Sequence, residues 1–339
     1  MWNSEETKLP RLYFLHVPKT GGTSLRFLLR HAYGARAYFP HAHLEAFILH
    51  GQTEPARYRC FGGHFGRALF SLFPAGHFDA TVTILRDPVE RVLSQVAYET
   101  RRATYRPASV SPDVYRFLAA WQRFFKQEDD LDDHWLSEQQ TRILGVDFDL
   151  QPYLRQYLRP HAAQVTPGFD LREAYARAIN AADPDRAFAA AQEFLRSCAV
   201  VGVTERFGDT AHLLCDLIGV RPPSAWPELN RAPQPETSGR CSHRASGRYP
   251  SHVLARLEEL TVHDRALYAQ ANALLDEQMA AYRARPRRSY HWAASARVWK
   301  ATTVLAMLEY SAPRLRRVAE RVGLRARLAP LWRRLTHGA

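Results

Sequence analysis

The chain has 339 residues and a hydrophobic content of 46%, enough for one large core or two. Its four cysteines, Cys60, Cys198, Cys215 and Cys241, are scattered with neither C-x-x-C nor zinc spacing, so a disulfide framework and a zinc site are not expected. The formal charge of +12 arises from Arg283 onward, where thirteen arginines and Lys300 face only Glu309 and Glu320; residues 1–282 sum to zero, which speaks against a basic catalytic body.

Met1 to Glu6 offer no basic region followed by an apolar one, and no stretch reaches the roughly 20 apolar residues of a membrane span. The expectation is a cytoplasmic chain, peripheral at the inner membrane surface if its basic end meets lipid.

In chain order, Leu12-Tyr13-Phe14-Leu15 predicts a buried strand over 11–17. The run His16 to Leu25, H-V-P-K-T-G-G-T-S-L, follows it and leads into a helix over 23–32. Strands are predicted at 57–61 and 80–85, then a helix at 88–101 with Asp87 as N-cap and Pro88 in the first turn. Residues 111–197 read as mostly helical, 199–203 as a strand and 205–218 as a helix. Pro222, Pro223, Pro227, Pro233 and Pro235 make 220–250 a loop, and helices at 250–260 and 262–282 close the core. This alternation predicts a parallel sheet covered by helices. Residues 1–282 then form one domain and 283–339 a basic tail, in which Leu315, Val318, Val322, Leu328, Leu331 and Leu335 recur near helical spacing. That tail reads either as a peripheral membrane or polyanion contact or as a helix packed on the body.

Strand, glycine turn and helix together bind phosphate, because amides at the helix start point at the anion and the dipole favours negative charge there. Gly21 and Gly22 let backbone approach closely, Thr23 and Ser24 can cap the helix or bond an oxyanion, and Lys19 adds a mobile charge. Only Lys8, Lys19, Lys126 and Lys300 are lysines among 46 basic residues, so a lysine in this turn stands out. It precedes the glycines, whereas a Walker A lysine follows them. Farther on, Arg86 stands at a strand end, and Ser94 lies about two turns into the next helix, three residues after Arg91. His64 follows Arg59-Cys60-Phe61-Gly62-Gly63, read as strand then glycine turn, and so sits where open α/β sheets place ligands.

The P-K-T-G-G-T-S run resembles the 5′-phosphosulfate loop of sulfotransferases that use 3′-phosphoadenosine 5′-phosphosulfate (PAPS). It is most similar to the carbohydrate group that includes the uronyl 2-O-sulfotransferases. Arg86-Asp87-Pro88-Val89-Glu90-Arg91-Val92-Leu93-Ser94 matches that family's R-D-P-x-x-R-x-x-S, and V-G-V-T-E-R-F at 201–207 and Q-T-R-I-L-G at 140–145 are similar to two further segments. The resemblance spans roughly residues 10–280. It implies a P-loop-NTPase-like three-layer fold with a largely helical insertion, no metal, and sulfuryl transfer to a hydroxyl of a glycan or glycoconjugate. It further implies that Arg86 and Ser94 bind the 3′-phosphate and that His64 is the general base, with His16 second. Lys19 would contact the bridging or sulfuryl oxygens, and Thr20, Gly21, Gly22, Thr23 and Ser24 the 5′-phosphate. A late loop closing over the adenosine would draw on Asn230, Arg231, Arg240 or Arg244. No specific nucleic-acid partner is expected. Two other readings stay open: a nucleotide-dependent kinase of similar fold, and a non-enzymatic polyanion- or membrane-binding protein.

Overall fold

The structure, a computed structural model, describes residues 9–43, 55–110, 112–130, 136–153, 169–223, 226, 247, 249–286 and 289–303. Four strands form one parallel sheet: β1 (Leu12–His16), β2 (Cys60–Gly63), β3 (Ala80–Leu85) and β4 (Val200–Val203), in the order β2-β1-β3-β4. β1 is buried along its whole length because it is central and covered on both faces, which is why it reads as an unbroken apolar run rather than an alternation. Its register sets Leu15 beside Gly63 and Thr83, and His16 beside Ile84.

Helices flank the sheet. α1 (Gly22–Ala37) follows β1 and kinks at Gly34, whose φ is 74°. α2 (Pro88–Tyr105) follows β3, and Asp87 caps it by accepting from the Glu90 amide, as the sequence predicts. The middle of the chain supplies α3 (Pro112–Phe125), α4 (Gln139–Gly145), α5 (Phe169–Ala181) and α6 (Pro184–Ser197). After β4 come a short 3-10 turn, Thr204–Arg206, and α7 (Phe207–Leu217). α8 (Ser251–Glu259) and α9 (Val262–Ala284) complete the body.

β2 corrects the sequence reading. It lies at Cys60–Gly63, not 57–61, and Gly62 and Gly63 are strand residues rather than a turn. The reason is their pairing with Phe14 and Leu15 of β1, and crowding makes them glycine: a Cβ on Gly62 would meet the Tyr38 hydroxyl at 2.8 Å, and one on Gly63 would meet the Phe65 ring at 2.6 Å. The core around this edge is aromatic, with Tyr13 packed edge-on to Phe70 at 5.3 Å and Phe61 stacked on Phe39 at 5.1 Å. Each such buried ring contributes about 1.5–3 kcal/mol.

α4 and α9 cap one another. The Glu138 carboxylate accepts from the amides of His263 and Asp264 at 2.8 and 2.7 Å. The Asp264 carboxylate accepts in return from the amides of Gln140 and Thr141 at 3.1 and 2.7 Å. Burial raises both carboxyl pKa values, and the buried Arg91 offsets part of that for Asp264.

Residues 292–303 are helical and lie on the body. Ala294 and Val298 join the main core, and Arg297 donates to the carbonyls of His31 and Ala32 at 3.1 and 2.6 Å. The remainder of the tail, 304–339, and the loop residues Asn230, Arg231, Arg240 and Arg244 lie outside the described residues. Among the described residues no helix is long and apolar enough to cross a membrane.

Candidate active site

All four strands run the same way, so their carboxyl ends share one edge. His16 ends β1, His64 follows β2, Arg86 follows β3 and Thr204 follows β4. β1 is flanked by β2 on one side and β3 on the other, which makes its end the point where strand order reverses. Ligands of open parallel sheets bind in that crevice.

The β1–α1 loop is held in an unusual shape. Lys19 has a φ of 71°, left-handed for a residue with a side chain, and Gly21 follows with 76°. A non-glycine residue held there costs on the order of 1–3 kcal/mol and persists only where its surroundings impose it. Here the surroundings are bonds from two other strand ends. Arg86 Nη1 donates to the Lys19 carbonyl at 3.2 Å, and Thr204 Oγ1 donates to the Thr20 carbonyl at 2.7 Å while reaching the Leu85 carbonyl at 3.0 Å. Thr20 itself turns inward, its hydroxyl donating to the Val17 carbonyl at 2.8 Å.

Gly21 is the N-cap of α1 and, having no side chain, offers the helix no side-chain cap. The first turn carries no acidic residue. α2 and α6, by contrast, are capped by Asp87 and Asp183. The start of α1 therefore keeps its positive pole uncompensated by any carboxylate of its own first turn. Gly22 is required for another reason than anion approach: a Cβ there would lie 2.1 Å from His16 Cδ2. His16 is buried, stacked on Phe14 at 5.4 Å, with Nδ1 unpartnered, and burial holds its pKa well below 6.5. It wedges between β1 and α1.

Lys19 reaches over α2, where its Nζ sits 3.9 Å from the centre of the Tyr98 ring. Burial, with Arg101 next, lowers its pKa to about 8, while Glu99 opposes them. Glu99 is buried and held by Gln95 and Arg102, each at 2.8 Å. Arg86 is clamped along its backbone. Its amide donates to Gln140 Oε1 and its carbonyl accepts from Gln140 Nε2, both at 2.9 Å. Its guanidinium also faces Glu90 at 3.6 Å. Ser94 is half-buried two turns into α2, while Arg91 turns inward, its Nη2 donating to the Leu136 carbonyl at 3.4 Å.

His64 lies beside His16, ring centres 4.3 Å apart. Its Nδ1 is 2.9 Å from the His16 carbonyl, which can only accept, so Nδ1 carries the proton and Nε2 the lone pair. Burial, then the neighbouring His43, push the His64 pKa down to about 3, so the ring is neutral at working pH. Arg26, on the second turn of α1, adds positive potential to both histidines and donates to the Tyr38 hydroxyl at 3.2 Å.

The sequence-selected residues Lys19, Thr20, Gly21, Gly22, Thr23, Ser24, His64 and Arg86 thus occur at the carboxyl edge of the sheet or in the segments leading from it. Arg26, Tyr98 and the latching hydroxyl of Thr204 escaped the sequence reading. Only Thr204 had a local signal, being the first polar residue after an apolar strand.

No protein-family model matches the chain, and a search of curated proteins gives no match.

Proposed function

We propose that the chain is a PAPS-dependent sulfotransferase on a P-loop-like three-layer frame, acting on a hydroxyl of a glycan or glycoconjugate. The observation that carries this reading is the direct bond between the two anion-binding segments, Arg86 to the Lys19 carbonyl, beside a neutral histidine of fixed tautomer.

The residues fit the donor. Lys19, Arg86 and an α1 start with no acidic residue in its first turn supply positive potential for a nucleotide bearing phosphates at both ends. The donor, when bound, supplies a sulfuryl group attached to a phosphate that can leave. Lys19, left-handed and set over Tyr98, holds its ammonium at the edge where charge develops on the bridging oxygen. Amides at the start of α1 hold the phosphate that departs. Arg86 and the half-buried Ser94 hold the far phosphate. His64 accepts the proton of the attacking hydroxyl at Nε2, while the His16 carbonyl keeps Nδ1 protonated and the ring oriented. His64 is half-buried beside the buried His16 and its aromatic surroundings, which limit the access of water to that transfer.

The test is transfer from radiolabelled donor to a panel of polysaccharide, glycolipid and phenolic acceptors, with calorimetry of adenosine 3′,5′-bisphosphate. The intact protein is expected to bind the bisphosphate and label a glycan. His64→Ala is expected to lose about 10²–10⁴-fold in turnover with bisphosphate affinity nearly unchanged. Well-folded protein stabilised by ATP with Mg²⁺ and indifferent to the bisphosphate would overturn the reading.

A further inference from the structure

The helix at 292–303 has two dissimilar faces. Ala294, Val298 and Thr302 are buried against the body, and Arg297 anchors the helix to α1. The outward stripe holds Trp292 and Trp299, seven residues or two turns apart, exposed to 79% and 62%. Tyr290, just ahead of them, is also exposed. The fold makes little use of these rings, because the opposite face already docks the helix. No other tryptophan is among the exposed large hydrophobic residues of the described chain.

Their setting is strongly basic. From Arg283 to Thr303 the sequence holds no acidic residue, and Arg283, Arg285 and Lys300 are exposed. The sequence that follows, 304–339, adds eight arginines against Glu309 and Glu320.

We propose that this face is a peripheral membrane contact that seats Trp292 and Trp299 among the headgroups of an anionic leaflet. Indole joins an apolar ring to an N–H donor, and such rings settle at the headgroup level rather than in hydrocarbon. Cations beside them are drawn to anionic lipid and add to the hold. Pairing with a second copy through the same face would set Lys300, next to Trp299, against a like charge with no carboxylate from 283 to 303 to offset it. A nucleic acid would use the cations but gives no reason for two indoles spaced along one rigid helix face. The proposal does not rest on the donor chemistry, since none of these residues belongs to the candidate active site.

Co-sedimentation of the full chain with phosphatidylcholine vesicles, with and without phosphatidylglycerol, tests this. Binding is expected only with the anionic lipid. Tryptophan emission should be quenched by lipid brominated near the headgroup, a readout that needs no variant. Trp292→Ala with Trp299→Ala should lower the partition coefficient at least tenfold, with an unchanged thermal melt. If the double variant folds poorly, Trp299→Ala alone should lower it several-fold. The proposal fails if the intact chain ignores anionic vesicles or if the well-folded double variant binds them equally. It fails too if the substitutions dissolve an oligomer, or abolish RNA or heparin binding by a chain that binds no vesicle.

Discussion

Lys19 and His64, the two side chains given chemical roles at the carboxyl edge, have displaced proton affinities, and the direction of each shapes the pH profile. Lys19 has a folded pKa of about 8, below its unfolded value of 10.5, so its ammonium is present below about 8 and lost above it. His64 is displaced downward to about 3, so its ring stays neutral throughout the range where histidines ordinarily titrate. The dependence of kcat/KM on pH for the free protein is therefore expected to be flat between about pH 5 and 7 and to fall through about 8; Lys19→Arg should move that fall above pH 10 whatever it does to the plateau. A limb near 6.5 in a pH series of initial rates would contradict the His64 environment. Gly22→Ala is expected to push His16 off α1, costing roughly 1–3 kcal/mol by overpacking, read as a lower urea midpoint. Much of this was legible beforehand, because Lys19, Arg86 and His64 occur in recognisable local patterns. The Tyr98 ring, the Arg26 charge and the wedge of His16 against Gly22 were not, since they arise when distant segments meet.

At the scale of elements, α4 is only seven residues long and would be marginal alone. Its stability derives from the exchange of carboxylates with α9, and it delivers Gln140 to the Arg86 backbone. Gln140→Leu should strand a buried amide and a carbonyl, at about 1–3 kcal/mol for each group left unsatisfied. It should also weaken adenosine 3′,5′-bisphosphate binding, measured by calorimetry beside chemical denaturation. Gln140→Glu keeps the acceptor for the Arg86 amide, so it is expected to recover part of the stability and little of the binding. Helices and strands followed from periodicity and caps, with Asp87 and Pro88 marking α2 as read. β2 did not, because a glycine pair signals a turn locally, whereas here it pairs with the distant β1 and is glycine because Tyr38 and Phe65 approach it. The reciprocal caps were invisible too: 126 residues separate Glu138 from Asp264, and no window of sequence contains both.

For the molecule as a whole, one helix joins the two regions assigned roles here. α1 meets the β1–α1 loop at Gly22 and accepts the Arg297 guanidinium on the carbonyls of His31 and Ala32. At 1.5 Å per residue these places lie about 14 Å apart along the axis. Peptide dipoles add head to tail, so a cation at the far carbonyls and an anion at the near amides reward the same polarisation. Arg297→Gln should then loosen bisphosphate binding about two- to fivefold in low salt, an effect of roughly 0.3–1 kcal/mol that fades as salt rises. Whatever presses on the tryptophan-bearing segment would thus be felt at the proposed donor site, as tension on one end of a rod is felt at the other.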